Sequence, residues 1–257
     1  HEDHPDIMPL FIDNETLPLD NVMPINLLDK DDQLISIKDA LISSVYKNGD
    51  LLGVPIYYSV NVLIINKSLT DSLGVKIPSE FDNEQFIAFL KEIEEKQRPM
   101  TTSDEENIAP FDFYIDESGN SIMPFFFGDG AHIFSMNEQG EVNFYSDKVV
   151  TSLEKLRRID QSLSTLHSDY GSRSKSKATT DFYNGKTAVL AGSLTDVNSL
   201  IRKINQGNGF DYQIAHYPKE EQEMPMHFAE DVGAYAVMNT NNKGKEEAIY
   251  DFMTFLL

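Results

Sequence analysis

The sequence contains no cysteine and no tryptophan, and its 21 basic residues are outnumbered by 42 acidic ones. Without cysteine the chain can form no disulfide, no thiolate metal site and no cysteine nucleophile. The formal charge of −21 opposes binding to nucleic acid, because phosphate contacts require a basic surface. Hydrophobic residues still make up 40% of the chain, which is enough to build a folded core.

Long apolar runs are also absent. Apolar runs such as residues 62–65 and 125–127 fall far short of the roughly 18 residues that a membrane-spanning helix needs. The opening residues 1–5 lack an initiator methionine and show neither the basic nor the apolar region of a secretion signal. An amphipathic pattern also runs into the final Leu256 and Leu257. From these two ends we expect a trimmed piece of a longer protein or a chain that has lost a leader.

The common catalytic and cofactor motifs are missing as well. The sequence has no glycine-rich dinucleotide or phosphate loop and no Gly-x-Ser-x-Gly nucleophile elbow. We therefore predict no catalytic residue, no cofactor and no metal ligand. Among the adjacent acid pairs, only Glu230 and Asp231 directly precede an apolar strand. This is the pair that we expect to be held in fixed geometry, as the carboxylates of a glycosidase would have to be.

Hydrophobic spacing predicts four amphipathic helices. Asp82 and Gln85 have the spacing of a capping box at the start of the first. The apolar stripes comprise Phe86, Phe89, Leu90 and Ile93; Leu153, Leu156, Ile159, Leu163 and Leu166; Val197, Leu200, Ile201 and Ile204; and Ile249, Phe252, Met253 and Leu256. Strands are expected at residues 51–56, 62–65, 187–191, 212–216 and 232–238, and a mobile loop at the Ser- and Lys-rich residues 171–180. The alternation of strands and helices predicts an α/β fold.

Several short segments occur along the sequence in an order that can be compared with that of a known protein family. They are residues 53–58 (Gly-Val-Pro-Ile-Tyr-Tyr), 63–69 (Leu-Ile-Ile-Asn-Lys-Ser-Leu), 73–75 (Leu-Gly-Val), 77–81 (Ile-Pro-Ser-Glu-Phe), 181–192 (Asp-Phe-Tyr-Asn-Gly-Lys-Thr-Ala-Val-Leu-Ala-Gly), 212–218, and 233–237 with 241–257. Together they resemble family 1 extracellular solute-binding proteins, the maltose-binding-protein-like receptors of ABC importers. The family's opening strand–helix–strand and a C-terminal helical stretch have no counterpart here.

This resemblance implies a two-lobe, type II periplasmic-binding-protein-like fold with a hinge between the lobes. Residues 1–60 with 232–257 would form lobe I, and residues 61–231 would form lobe II. The resemblance also implies a monomer that binds a small solute, of the carbohydrate class, in the cleft between the lobes and delivers it to a membrane permease. The protein would lie in the periplasm or on the outer face of the membrane, held there only by a lipid anchor outside this chain.

The same resemblance selects the ligand-binding candidates, which are Tyr57, Tyr58, Ser59, Asn61, Met123, Phe125, Ser193, Glu230 and Asp231. The first four would lie on one crossing between the lobes, and the acidic pair on the return. Several candidates have a structural alternative: strand packing for the tyrosines, core for Phe125 and the neighbouring Phe126, and a cap or interlobe charge for Asp231. Ser59 stands where relatives often have a carboxylate, and Leu194 where many sugar-binding members have Trp, which favours a small solute.

Two other functions remain open from the residues. One is a surface or sensor protein that uses the same fold to recognise a partner. The other is a carboxylate-pair glycosidase that would use Glu230 or Asp231.

Overall fold

The computed structural model describes residues 5–10, 21–25, 45–47, 50–97, 108–112, 121–131, 135–136, 142–143, 146–163, 174–204, 209–220, 229–240 and 242–256. The chain divides into two compact units: residues 1–59 with 231–257 form unit 1, and residues 60–230 form unit 2. No helix in these described ranges is long and apolar enough to span a bilayer.

Unit 1 contains an antiparallel sheet whose central strand comes from the end of the chain. Strands β1 (Ile7–Leu10) and β2 (Val22–Met23) both pair with β11 (Ala229–Met238), with Val237 opposite Ile7 and also opposite Met23. Strands β3 (Tyr46–Lys47) and β4 (Asp50–Leu51) form a separate hairpin. Helix α7 (Lys243–Leu256) contributes Ile249 and Met253 to the core beneath this sheet.

Unit 2 is built on a sheet with helices on both faces. The strand β5 (Val54–Asn66) pairs antiparallel with β10 (Tyr212–Ala215) and with β9 (Thr187–Ser193), and β9 pairs parallel with β6 (Ala109–Asp112). The helices are α1 (Lys67–Leu73), α2 (Asn83–Gln97), α3 (Met123–Gly128), α4 (Asp147–Ser162), α5 (Lys175–Tyr183) and α6 (Leu194–Ile204), and β7 (Ser135–Met136) pairs with β8 (Val142–Asn143). The mixture confirms the α/β prediction.

The alternation of side chains along β5 explains why the sheet of unit 2 is covered twice. Leu63 and Ile65 lie in a core cluster with Phe86 and Phe111. Val62 and Ile64 lie in a different cluster, with Phe182 of α5 and Leu200 of α6. A strand that is apolar on both faces is typical of a sheet sandwiched between helix layers.

The predicted start of α2 is confirmed in detail. The backbone N–H of Gln85 donates to Asp82 Oδ1 at 2.7 Å, and the backbone N–H of Asp82 donates to Gln85 Oε1 at 3.1 Å. This reciprocal pair satisfies amide groups that have no partner within the helix. The predicted stripe of Phe86, Phe89, Leu90 and Ile93 is buried.

Two sequence predictions of local structure are wrong. The separate strands expected at residues 51–56 and 62–65 are largely one strand of 13 residues, β5, because Tyr57 to Asn61 continue the extended chain between them. The mobile loop expected at residues 171–180 is helical from Lys175 onward. Ser174 caps this helix by accepting a hydrogen bond from the backbone N–H of Lys177 at 3.2 Å, and residues 171–173 lie outside the described ranges.

The other three predicted helices exist, but their buried stripes differ in part. In α4 the side chain of Leu153 is 52% exposed, whereas Val149, Ser152 and Ile159 are buried. Ile201 of α6 and Phe252 of α7 are also exposed. The hydrophobic periodicity therefore predicted where these helices lie, but it did not predict correctly which of their apolar side chains are buried. Leu166 lies outside the described residues.

Candidate functional site

Two strands carry the chain between the units. The strand β5 leaves unit 1 after Ser59, and β11 enters unit 1 again at Asp231. Six of the nine predicted site residues lie on these strands: Tyr57, Tyr58, Ser59, Asn61, Glu230 and Asp231. The backbone of all six is described, but the side chains of Tyr57, Glu230 and Asp231 lie outside the described part of the structure. Ligand binding by all nine residues remains a prediction, and for these three the side-chain position does as well.

The apolar face of the unit 2 sheet becomes polar where β5 approaches unit 1. Leu63 pairs with Ala191 across β5 and β9, and both belong to the main core cluster. The next pair on the same face is Asn61 opposite Ser193, since side chains two residues apart share a face of a strand. Asn61 and Ser193 are both buried, as is Ser59, the next residue in this row. We call Ser59, Asn61 and Ser193 the polar row.

Within the polar row, Ser193 has a structural task that the sequence prediction missed. Its backbone N–H and its hydroxyl both donate to Asp196 Oδ2, at 2.9 and 3.0 Å, and its hydroxyl accepts from the backbone N–H of Asp196 at 3.4 Å. Ser193 and Asp196 thus form a capping box at the start of α6. Ser193 is fully buried (0% exposed) and donates its hydroxyl proton to Asp196, so the structure gives it a capping role. Its contact with a ligand remains a prediction.

Two further contacts involve the carboxylate of Asp196. Lys175 Nζ of α5 lies 3.2 Å from Asp196 Oδ2, which links the two helices on this face of the sheet. A β-carbon at Gly192 would lie 3.1 Å from Ile64 Cδ1 and 3.3 Å from the same Asp196 oxygen. A side chain at position 192 would therefore crowd the Asp196 carboxylate, and glycine avoids this contact. The Ser-x-x-Asp spacing was present in the sequence and would have predicted this cap.

The predicted aromatic wall lies in a short helix. Met123, Phe125 and Phe126 all belong to α3, and both phenylalanines are buried. The ring of Phe125 packs edge-on against Tyr217 at a centroid distance of 5.0 Å and against Phe111 at 6.1 Å. This placement corresponds to the core alternative for Phe125, and Met123 is half-buried.

Tyr58 and Leu194 are next in sequence to Ser59 and Ser193 of the polar row, and their side chains are exposed. Tyr58 is 49% exposed, and Leu194, the first residue of α6, is 36% exposed. Among the described side chains of the predicted aromatic residues, that of Tyr58 has exposed surface, on the face of β5 opposite to the polar row. A tyrosine ring can stack on an apolar face while its hydroxyl forms a hydrogen bond.

A buried polar cluster in unit 2 was not predicted. Asp129, at the end of α3, accepts hydrogen bonds from Asn83 Nδ2 at 2.9 Å, Ser152 Oγ at 2.7 Å and Lys155 Nζ at 2.7 Å. Asn83 Nδ2 also donates to Glu220 Oε1 at 2.8 Å. The cluster joins α2, α3 and α4 to the segment after β10. Its residues come from distant parts of the chain, so no sequence spacing indicates it.

One ionisable group near the α6 cap is perturbed. Burial raises the pKa of the Tyr183 hydroxyl, and the carboxylate of Asp196 adds to this effect whereas Lys175 opposes it. Lys203 Nζ lies 4.1 Å above the Tyr183 ring, a cation–π geometry. These groups hold α5 against α6. Across the described ranges, no cluster of three or more His, Asp or Glu side chains could hold a metal ion.

Known proteins support the fold. Three similar solved structures are a maltose-bound T. maritima MalE3 (16% identity, TM-score 0.63), a Thermotoga lettingae ABC transporter solute-binding protein bound with α-D-tagatose (14%, 0.66) and a probable secreted solute-binding lipoprotein from Streptomyces coelicolor (13%, 0.71). The alignments cover 98%, 91% and 98% of this chain, respectively. At such identities the likeness shows a shared fold.

The matched relatives are longer than this chain. It spans 62%, 57% and 63% of the length of those three proteins, respectively. A comparison with curated proteins found no match.

The family is shown by sequence. The family model for bacterial extracellular solute-binding proteins matches residues 10–257, nearly the whole chain, and the solved structures confirm the two-lobe, periplasmic-binding-protein-like fold. The chain therefore belongs to the bacterial extracellular solute-binding protein family.

Proposed function

We propose that this chain binds a small carbohydrate and acts as the substrate-binding component of an ABC importer. In this proposal the solute lies between the two units, and its binding favours a closed state by movement about β5 and β11. The closed state then presents the solute to a membrane permease. The protein would act outside the cytoplasm as a monomer, and any attachment to the membrane would come from a lipid anchor outside this chain.

The observation that carries this proposal is the change from apolar to polar residues on β5. Leu63 and Ile65 belong to the core, but Asn61 and Ser59, further along the same face, are buried polar residues on a strand that joins the two units. An asparagine side chain offers both donors and an acceptor, which suits the paired hydroxyl groups of a sugar.

The solved relatives support the carbohydrate class. Tyr58 is half-exposed, but the alternation of side chains along β5 places its ring on the face opposite to Ser59 and Asn61, so the proposal does not use it as a contact of this site. Two of the solved relatives hold maltose and α-D-tagatose. Because the chain has no tryptophan, it lacks the largest stacking surface, so we propose a mono- or disaccharide rather than a long oligosaccharide.

Thermal unfolding in the presence of a solute panel tests this function. The panel contains monosaccharides, disaccharides, longer oligosaccharides, polyols and amino acids. A ligand that binds only the native state at 100 times its Kd stabilises it by about 2.7 kcal/mol. We expect at least one mono- or disaccharide to raise Tm, and titration calorimetry then gives its Kd.

Two asparagine variants make the test specific to the site. For the sugar that stabilises the wild type, Asn61→Ala should weaken binding by about tenfold or more, which corresponds to about 1.4 kcal/mol. Asn198→Ala, on the exposed side of α6, should bind like the wild type. If no member of the panel raises Tm, the function is contradicted. If Asn61→Ala binds as tightly as Asn198→Ala, the site is contradicted even when a sugar binds.

A further inference from the structure

One edge of the unit 2 sheet brings together the elements around the proposed solute site. Asn61 of β5 pairs with Ser193 at the end of β9, and α6 begins at the next residue, Leu194. The polar row, the carboxyl end of β9 and the N-terminus of α6 therefore lie at the same edge of the sheet. In α/β proteins, ligands commonly bind beyond the carboxyl ends of the strands, so the charge at the start of α6 bears on which solute the site accepts.

The positive end of α6 is occupied by a carboxylate of the chain itself. Unpaired N–H groups and the helix dipole make the start of a helix attractive to anions. Asp196 lies in the first turn of α6, and its Oδ2 atom accepts hydrogen bonds from the backbone N–H and the hydroxyl of Ser193 at 2.9 and 3.0 Å. An anionic solute would therefore meet a negative charge where the helix alone would offer a positive one.

The cation beside this carboxylate is engaged with it. Lys175 Nζ lies 3.2 Å from Asp196 Oδ2, and the Asp196 side chain is only 12% exposed whereas that of Lys175 is 37% exposed. A mostly buried carboxylate costs free energy unless an opposite charge compensates it, and Lys175 supplies this compensation. The pair is therefore balanced in charge and offers no surplus of positive charge to the phosphate or carboxylate group of a solute.

We propose that the Lys175–Asp196 pair makes the solute site select neutral sugars over sugar phosphates and sugar acids, with Asp196 as the specificity-determining residue. This inference rests on the proposed function, because it concerns the solute of the same site. The net charge of −21 opposes the approach of anions further. A neutral sugar needs hydrogen bonds rather than a counter-ion, so the pair leaves its binding to Asn61 possible.

Matched neutral and anionic sugars test this selectivity. D-glucose is compared with D-glucose 6-phosphate and D-glucuronate, D-galactose with D-galacturonate, and maltose with maltose 1-phosphate. Any other sugar that raises Tm is compared with its own phosphate ester. Titration calorimetry at low ionic strength measures each Kd, and we expect the wild type to bind the neutral sugar at least tenfold more tightly than its anionic counterpart.

Substitutions of the pair test the role of its charges. Asp196→Asn keeps an acceptor for the N–H of Ser193 but removes the negative charge, and it should reduce the preference for the neutral sugar at least tenfold. Adding Lys175→Met should reverse this effect, because Lys175 supplies the new attraction. Asp82→Asn at the cap of α2, tested alone, and Lys177→Met on α5, added to Asp196→Asn, are the controls with equal changes of net charge. The first should keep the wild-type preference, and the second should leave the effect of Asp196→Asn intact. Circular dichroism verifies that each variant is folded.

The outcomes separate this inference from the proposed function. If no neutral sugar binds, the proposed function is contradicted and this inference with it. If a neutral sugar binds, the inference alone is overturned by equal affinity of the wild type for the anionic sugar or by an unchanged preference in Asp196→Asn. It is also overturned if Asp82→Asn has the same effect, which would indicate net charge as the cause. An equal loss of affinity for both sugars in Asp196→Asn would show that Asp196 only caps α6.

Discussion

Gly128 shows how a single residue can decide the packing of unit 2. A β-carbon there would lie 2.3 Å from the carbonyl oxygen of Pro218, a backbone atom that cannot rotate away. The backbone N–H of Glu220 donates to the carbonyl of Gly128 at 3.1 Å, so the two segments are held at this close approach. Any larger residue at position 128 must separate them.

We therefore expect Gly128→Ala to lower the free energy of unfolding by about 1–3 kcal/mol, the usual cost of overpacking. Urea unfolding followed by circular dichroism measures this change. Gly244→Ala is the matched control, because its β-carbon would meet only Asn242 Oδ1 at 3.8 Å and alanine favours a helix. A loss of stability in the control as large as in Gly128→Ala would contradict this explanation.

At the scale of the elements, the cap of α6 can be separated from ligand binding. If Ser193 acts through its hydrogen bonds with Asp196, Ser193→Ala should lower the free energy of unfolding by about 1 kcal/mol, as expected for a lost N-cap. The affinity for the sugar identified by thermal unfolding should stay unchanged.

Ser174→Ala provides the comparison, since Ser174 caps α5 by the same kind of hydrogen bond. Both variants should lose similar stability, as measured by urea unfolding, and keep the same Kd, as measured by calorimetry. A loss of sugar affinity in Ser193→Ala but not in Ser174→Ala would indicate that Ser193 contacts the sugar.

The contact between α2 and α4 includes a bidentate ion pair with a predictable pH dependence. Arg158 donates to both carboxylate oxygens of Glu84, at 2.6 and 3.0 Å. The hydrogen bond to Arg158 holds the pKa of Glu84 below its ordinary value of 4.5. A lowered pKa in the folded state means that the pair stabilises the fold above pH 4.5 and that this contribution disappears as the pH falls through the folded-state pKa.

Comparing the stability of the wild type with that of Glu84→Gln at several pH values tests this pH dependence. We expect the wild type to be slightly more stable at pH 7, because exposed pairs contribute little, and the difference in stability to shrink as the pH falls below 4.5. Thermal unfolding across this pH range measures the difference. A difference that grows as the pH falls would contradict the assignment of the lowered pKa to Arg158.

At the scale of the whole molecule, the dominant property is the net charge. A formal charge of −21 in 257 residues produces self-repulsion that opposes the compact state. Salt screens this repulsion over distances beyond the Debye length, which is about 10 Å at 0.1 M. Screening also weakens favourable surface ion pairs. Because acidic residues outnumber basic ones two to one, we expect the reduced repulsion to be the larger effect.

Raising sodium chloride from about 20 to 300 mM should therefore stabilise the protein by about 1 kcal/mol, equivalent to a rise in Tm of about 2–4 °C. Scanning calorimetry at pH 7 measures this shift. An equal osmolarity of glycerol, which carries no charge, serves as the control. A fall in Tm with added salt would mean that the surface ion pairs outweigh the repulsion.

Sequence determined the elements whose signals are local. The capping box at Asp82 and Gln85 and the stripe that begins with Phe86 depend only on neighbouring residues, so both were predicted correctly. The order of short segments along the chain was likewise enough to identify the family, because that comparison needs no coordinates.

Only the tertiary structure decided what depends on residues far apart in the chain. The position of Ser193 opposite Asn61 follows from the pairing of β5 with β9, and the cluster around Asp129 unites four segments. Burial of Phe125 and exposure of Phe255 also depend on which surfaces meet. Hydrophobic spacing reports that a side chain is apolar and on which side of its own helix it lies, but the neighbour that covers it is chosen by the fold.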